Sequence, residues 1–149
     1  MAVSAIVTAG CEIDGQVPAD GGSVGSFGTL DFGSQPSLST ETLTGTLLGG
    51  SGVTISCTPG VAASMQVDGG RHDDGTTRNL QLAAGSAQVP YRLYSDSAET
   101  AEIPPGLAVT LDTSTTPGAV TLPLYGRLAL PGTGPAGTYA DTLTITLQW

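Results

Sequence analysis

The sequence predicts an all-β fold, a β-sandwich of short strands, and three observations support that class. First, the chain of 149 residues contains 22 glycines and 10 prolines with only 11% charged residues, and it is rich in threonine, a composition that disfavours helices. Second, short apolar segments alternate with clusters of turn residues along the chain, as in sandwich proteins. Third, the last segment alternates strictly between apolar and polar residues. The length suits one domain with a hydrophobic core.

The closing segment, 137–149, carries the clearest strand pattern in the chain. Its apolar residues share one parity and are separated by threonine or glutamine: Leu143, Ile145, Leu147 and Trp149. A period of two predicts a strand that is buried on one face. No charge, proline or covering segment follows Leu143 to protect the edge of such a strand. We therefore expect another chain to supply a strand beside it.

The other strands are predicted in chain order from apolar runs bounded by turn residues. They are expected at 2–13, 27–32, 40–48, 53–58, 65–67, 79–82, 89–94, 107–111 and 119–130. In the longest of them, Gly126 predicts a bulge or a close approach of another segment. The stretches 14–26, 49–52 and 68–75 are predicted loops, since they are dense in glycine and Asp-Gly pairs. Neither a repeat nor a linker divides the chain.

The two cysteines, Cys11 and Cys57, occupy matching inward positions of two predicted strands. Cys11 shares its parity with Ile13, and Cys57 shares its parity with Ile55. This orientation favours a disulfide over the alternative of two buried free thiols. A bridge across 46 residues would stabilise the fold by roughly 4 kcal/mol in the chain-entropy treatment. It would also indicate an oxidising compartment.

The charge of the chain excludes some classes of partner. It has 13 acidic residues against 4 arginines and no lysine, for a net charge of −9. Binding to nucleic acid or to anionic membranes depends on Lys and Arg, so neither partner is expected. No apolar run is long enough to span a membrane. The first residues lack the basic start and apolar core of a signal peptide, so an exported form would be a mature one.

The candidates for chemistry are weak. His72, Asp73 and Asp74 resemble a fragment of a cation site, but they lack known ligand spacing and a second histidine, so a solvated hairpin tip is preferred. No nucleophile motif accompanies the single histidine. We expect no enzyme activity, no catalytic residue, no bound metal and no cofactor. Tyr94 and Tyr125 are predicted to point outward, and are the remaining candidates for stacking on a sugar.

Six motifs in a fixed order give the chain a resemblance to a known family. They are Gly10-Cys11, Phe27–Gly33, Ile55–Gly60, Pro90–Asp96, Tyr125–Arg127 and Pro135–Leu147. Together they resemble the spore coat protein U domain found in the pilins of archaic, Csu-type chaperone–usher systems. The resemblance runs from about Gly10 to Trp149 and so covers nearly the whole chain.

The resemblance implies an immunoglobulin-like β-sandwich that lacks its C-terminal seventh strand. In such pilins a periplasmic chaperone lends a strand during export. At the outer-membrane usher, the N-terminal arm of the next subunit replaces it, so strand addition becomes the bond of a polymer. The implied function is a structural subunit of an extracellular pilus, in an adhesive or biofilm fibre of like subunits.

The resemblance also assigns roles to residues of this chain. Residues 1–9 would be the donor arm and 10–149 the pilin domain, with the disulfide joining Cys11 to Cys57. The side chains of the donor strand would be Val3, Ala5 and Val7. The acceptor groove, which is also the chaperone-binding edge, would consist of Leu143, Ile145, Leu147 and Trp149. Family arms are longer and carry larger side chains, so this arm is either trimmed or a short donor.

Two further functions remain as alternatives. A spore or cell-coat structural protein would share the same domain without needing an exporting chaperone. A tip adhesin would be a binding module, but a tip protein normally carries a second, receptor-facing domain, for which 149 residues leave no space. The structural pilin is therefore the preferred function.

Overall fold

A computed structural model describes residues 1–19, 26–48, 54–114 and 119–149. Every regular element in these ranges is a strand, which confirms the predicted all-β class. The strands are β1 Cys11–Ile13, β2 Thr29–Leu30, β3 Thr42–Leu48, β4 Ile55–Cys57, β5 Ala63–Val67, β6 Arg78–Leu82, β7 Gln88–Tyr94, β8 Ala108–Leu111, β9 Tyr125–Ala129, β10 Tyr139–Ala140 and β11 Ile145–Gln148. The predicted connection 49–52 lies outside the described residues.

Two antiparallel sheets form the body of the sandwich. The larger has the order β10-β6-β7-β9-β3-β2 and the smaller has the order β11-β5-β8, while β1 and β4 form a separate ribbon. Alternate residues of the strands point into the space between the sheets. The most deeply buried side chains there belong to Met65, Val67, Leu93 and Ile103. This pattern is the expected result of a period-two sequence with one buried face.

Each main sheet ends in a strand with an unpaired side. Among the described strands, β11 contacts only β5 and β2 contacts only β3. Unpaired edges present free N–H and C=O groups to any further strand. The sandwich is therefore open along the line between β11 and the segment that contains β2.

The two longest predicted strands are much shorter in the structure. The strand predicted at 2–13 is formed only at β1, and residues 1–9 are exposed and belong to no strand, because none of the described strands lies beside them. The strand predicted at 119–130 is formed only at β9. Pro123 precedes β9 and has no N–H to donate to a ladder, so the alternating residues before it do not extend the strand.

A pair of facing glycines in the larger sheet makes room for the side chains of the segment that contains β2. Gly45 of β3 and Gly126 of β9 are directly opposite each other in the larger sheet. A Cβ placed on Gly126 would lie 2.7 Å from a methyl carbon of Leu30 and 2.8 Å from the ring of Phe32. The missing side chains thus let Leu30 and Phe32 pack directly on the sheet. The predicted close approach at Gly126 is confirmed.

The predicted disulfide is also confirmed. Cys11 and Cys57 are opposite each other in the β1–β4 ribbon, and their sulfur atoms lie 2.07 Å apart. Both residues are buried within the core. The bridge ties the start of the sandwich to β4, next to the residues that precede Cys11.

Candidate functional site

A groove of about 1330 Å³ runs along the open side of the sandwich. One wall is 141–149, which contains β11, and the other wall is formed by Ile13, 17–19 and 26–30. The inner face of the larger sheet provides an apolar floor, with contributions from Leu47, Leu80, Leu93 and Leu124. The groove therefore lies between the two unpaired sheet edges, and its floor is formed by side chains that belong to the core or pack against it.

The wall at β11 shows the alternation that the sequence predicts. Leu143, Ile145 and Leu147 are half-buried and pack against the core, whereas the threonines between them are exposed. Trp149 follows at the end of the wall, and 42% of its surface is exposed. All four residues of the predicted acceptor set line the groove. The structure thus brings them together along one edge of the smaller sheet, within and beside β11.

The geometry of β11 suits the addition of a strand. One side of β11 is hydrogen-bonded to β5, with Ile145 opposite Val67 and Gln148 opposite Ser64. The other side faces the groove and has no partner among the described strands. An extended peptide laid along this side would gain main-chain hydrogen bonds and would place every second side chain in the groove.

The predicted donor residues lie in solvent in the structure. Val3, Ala5 and Val7 are exposed, and so is the whole segment 1–9. Ile6 is also almost fully exposed, although the predicted donor set did not include it because its parity differs. The chain therefore carries an apolar segment without a partner and an apolar groove without an occupant among its described residues.

A buried carboxylate fixes the far end of the groove. The side chain of Asp141 is only 2% exposed and accepts hydrogen bonds from the hydroxyl of Tyr91, at 2.8 Å, and from the backbone N–H of Arg71, at 2.9 Å. The Nδ1 atom of His72 lies 3.1 Å from the same carboxylate. Burial, together with the bond to Asp141, raises the pKa of Tyr91. The ring of His72 is half-buried beside this carboxylate, whereas Asp73 and Asp74 are exposed, so the solvated tip predicted for these three residues holds for the two aspartates but not for His72.

The buried side chain of Arg78 also holds the loop that follows β5, the loop to which Arg71 and His72 belong. Arg78 donates to the backbone carbonyls of Val67, Asp68 and Ile103, and its burial lowers the pKa of its guanidinium group. The carboxylate of Asp68 in turn accepts a hydrogen bond from the backbone N–H of Thr144, at 2.9 Å. These contacts fasten the loop after β5 to the segment that leads into β11. Sequence analysis missed both Asp141 and Arg78 as site-forming residues; the position of Asp141 within the motif Tyr139-Ala-Asp was the available signal.

The remaining sequence candidates do not form a site. Tyr94 lies on the face of β7 opposite Leu93, as predicted, but it is buried and is not available to stack on a sugar; its cross-strand partner Tyr125 is half-buried. Asp74 accepts hydrogen bonds from Thr76 and Thr77 within its own turn. No group of three or more His, Cys, Asp or Glu residues in the described ranges is placed to hold a metal. Within those ranges, no helix has the length and apolar character needed to cross a membrane.

Fold and site together define a disulfide-bonded β-sandwich that is open along one apolar edge. A model of the Spore Coat Protein U domain family matches residues 1–146, so the chain belongs to this family. The predicted family is thereby confirmed. No curated protein matches the chain.

Two solved structures show a weak likeness to the chain. One is a chaperone–tip subunit pre-assembly complex, CsuC-CsuE, from the archaic chaperone–usher Csu pili of Acinetobacter baumannii; the identity is 19%, the TM-score is 0.49, and the match covers 96% of this chain and 40% of that one. The other is a chaperone–tip adhesin complex of CFA/I fimbriae, with 15% identity, a TM-score of 0.43, and coverage of 72% and 33% respectively. The chain thus spans about two fifths or less of the structures that it resembles.

Proposed function

We propose that this protein is a structural subunit of an archaic chaperone–usher pilus that polymerises by donor-strand exchange. One observation carries the proposal: a single chain presents both an apolar groove along the unpaired edge of β11 and an exposed apolar segment, 1–9. A copy of the second feature fits the first. Repetition of that contact gives a head-to-tail fibre, because each subunit donates once and accepts once.

The dimensions and the side chains of the two parts are compatible. An extended segment of nine residues reaches about 30 Å, and the edge from Leu143 to Trp149 needs about 23 Å. Val3, Ala5 and Val7 would point toward the groove floor. Burying a valine side chain contributes about 1.5–3 kcal/mol, so the inserted arm would add several kcal/mol to a domain whose whole stability is typically about 5–15 kcal/mol.

The proposal implies three partners and a location. A periplasmic chaperone would lend a strand to the groove before assembly, since an open apolar edge promotes aggregation. An outer-membrane usher would be the place where the arm of the next subunit replaces that strand. Neighbouring subunits would be the permanent partners, in an adhesive or biofilm fibre at the cell surface. The disulfide is consistent with export through an oxidising periplasm.

The test uses two variants, one with a charge in segment 1–9 and one with a charge in the groove wall. Val7→Asp charges the arm and Leu147→Asp charges the groove wall, and each is expressed with the chaperone and usher. Neither variant should form fibres in electron micrographs, because insertion would bury an unpaired carboxylate. Thr146→Asp, on the exposed face of the same strand, is the matched control and should still polymerise. Mixing the two defective subunits should yield dimers, since one retains a groove and the other an arm.

Two results would contradict the proposal. Fibres of normal length from both charged variants would show that neither part forms the contact. Unfolding of the Val7→Asp subunit itself would show that the arm belongs to its own sandwich. Assembly without chaperone or usher would instead favour the coat-protein function.

A further inference from the structure

The outer face of the smaller sheet carries no charged side chain on its three strands. Two cross-strand rows form this face, here called the uncharged face: Thr146, Gln66 and Ala108 in one, and Gln148, Ser64 and Thr110 in the other. These residues are exposed or half-buried, whereas the residues between them pack in the core or against it. Asp68 and Asp112 follow β5 and β8, so their carboxylates lie beyond opposite ends of the face.

The outer face of the larger sheet is different, because charged side chains lie on it. Arg92 and Arg127 are directly opposite each other there. Arg92 is paired with Glu102 at 2.8 Å, and Arg127 with Glu99 at 3.5 Å. Two copies of a chain with a net charge of −9 repel each other, and this repulsion is weakest where the facing surfaces carry no charge. Of the two outer faces, the uncharged face is therefore the more favourable one for contact between copies.

Donor-strand exchange would extend the uncharged face by one strand. If segment 1–9 of another subunit pairs with β11 and directs its odd-numbered side chains into the groove, its even-numbered side chains point to the outer side. Ser4, Ile6 and Thr8 would then join the uncharged face. Ile6 is 92% exposed in the single subunit. The added strand would thus bring an apolar side chain and no charge to this face.

We propose that the uncharged face is a lateral contact surface, on which a fibre of these subunits packs against the same face of a second fibre. The occupant is a second copy of the chain, and the contact joins identical patches. The inference rests on the proposed function, since it needs subunits that are already joined into fibres.

The size of the face explains why the contact needs fibres. With strands about 4.8 Å apart and a rise of about 3.4 Å per residue, three strands and two rows cover about 200 Å². A stable interface buries roughly 800 Å² on each partner, so two single subunits would not stay together. In a pair of fibres the same contact recurs from subunit to subunit, and linked weak contacts give a stable association.

The test compares purified fibres of wild type, Thr110→Asp and Thr42→Asp. Thr110 lies on β8, at the other edge of the smaller sheet from β11, so Thr110→Asp charges the uncharged face and leaves the groove intact. Thr42→Asp is the matched control, because it adds the same charge at an exposed threonine on the outer face of the larger sheet. Bundling is measured at equal polymer mass by electron microscopy and low-speed sedimentation, from about 50 to 500 mM NaCl.

Wild type and Thr42→Asp should form bundles, and bundling should increase with salt, because salt screens the repulsion between copies. Thr110→Asp should form single fibres of normal length, with at least about tenfold less polymer in the low-speed pellet, since the loss recurs at every contact. Thr146→Asp, which charges the same face on β11, should behave like Thr110→Asp. Equal bundling of Thr110→Asp and Thr42→Asp would overturn the inference. Bundles that form only after a neutral polysaccharide such as dextran is added would also overturn it.

The same preparations separate this inference from the proposed function. If wild type expressed with chaperone and usher yields no fibres, the proposed function fails and the lateral contact fails with it. Wild-type fibres that remain single at every salt concentration would overturn the lateral contact alone.

Discussion

At the scale of single residues, the far end of the groove depends on one carboxylate. Asp141 is buried and has three neighbouring donors, from Tyr91, the backbone of Arg71 and the ring of His72. A buried carboxylate is tolerated only when its hydrogen bonds are satisfied. Since Asp141 lies just before the wall of the groove, its partners set where that wall begins.

The hydroxyl of Tyr91 should make the fold sensitive to alkali. Burial raises its pKa above the ordinary value of 10.0. The stabilising contribution of the neutral phenol is therefore complete below pH 10 and is lost as the pH rises above it. Chemical denaturation between pH 8 and about 11 should show falling stability in the wild type and a shallower fall in Tyr91→Phe.

The matched control for the alkaline titration is Tyr125→Phe, at a half-buried position of the same sheet. At neutral pH, Tyr91→Phe should itself cost about 1–3 kcal/mol, because Asp141 loses a donor. Equal alkaline slopes for Tyr91→Phe and wild type would show that another group governs the titration.

Gly126, on which Leu30 and Phe32 pack, should not tolerate a side chain. In Gly126→Ala, the new methyl group would lie 2.7–2.8 Å from both residues, so the groove wall would have to shift. We expect a loss of about 1–3 kcal/mol in the free energy of unfolding, measured by urea denaturation. Gly10→Ala is the control, since its Cβ would meet Trp149 at an ordinary contact distance of 3.6 Å. Equal stability of the two variants would contradict the close packing of this wall.

The burial of Asp141 and Arg78 could not be predicted from the sequence, for a physical reason. Asp141 and Arg78 look like ordinary polar residues in the sequence, and their burial depends on partners that are distant along the chain. The carboxylate of Asp141 is satisfied by residues 50 to 70 positions away. No local period or composition reports such a contact. Alternation within a strand, in contrast, is a local property and predicted the buried faces correctly.

At the scale of elements, the sequence predicted the positions of strands better than their lengths. The alternation from Leu143 onward places the correct side chains toward the core, and β3 to β8 fall close to their predicted ranges. The same kind of pattern in 2–9 gives no strand, because a strand also needs a neighbour to pair with. Alternation identifies a segment able to form a strand, and residues 1–9 are such a segment with no strand beside them in the described part of the chain.

The bridge between β1 and β4 should be a major contributor to stability. These strands are only three residues each and are linked through Cys11 and Cys57. Replacing Cys57 by serine should lower the free energy of unfolding by about 2–5 kcal/mol. Urea denaturation of Cys57→Ser and of reduced, alkylated wild type should agree. A loss below about 1 kcal/mol in both would show that packing alone holds the ribbon.

At the scale of the whole molecule, the proposed function joins two features of the chain, the open edge at β11 and the exposed segment 1–9. The alternation from Leu143 to Trp149 predicted a strand with one buried face, and the structure places a groove beside that strand. Few residues of the chain are charged, 11% in all, which suits a subunit that the proposed assembly would cover with its neighbours.

The most direct test of the account is the thermal stability of the subunit with and without a donor strand. Full-length Val7→Asp is purified as a monomer and heated with an excess of the peptide of residues 1–9; the same peptide with Val3 and Val7 replaced by aspartate is the control. The account predicts that the active peptide raises Tm by more than about 10 °C, since several kcal/mol are added to a domain of this size. A monomer that unfolds at one high temperature with either peptide or with none would show that the sandwich is complete by itself, and would contradict the account.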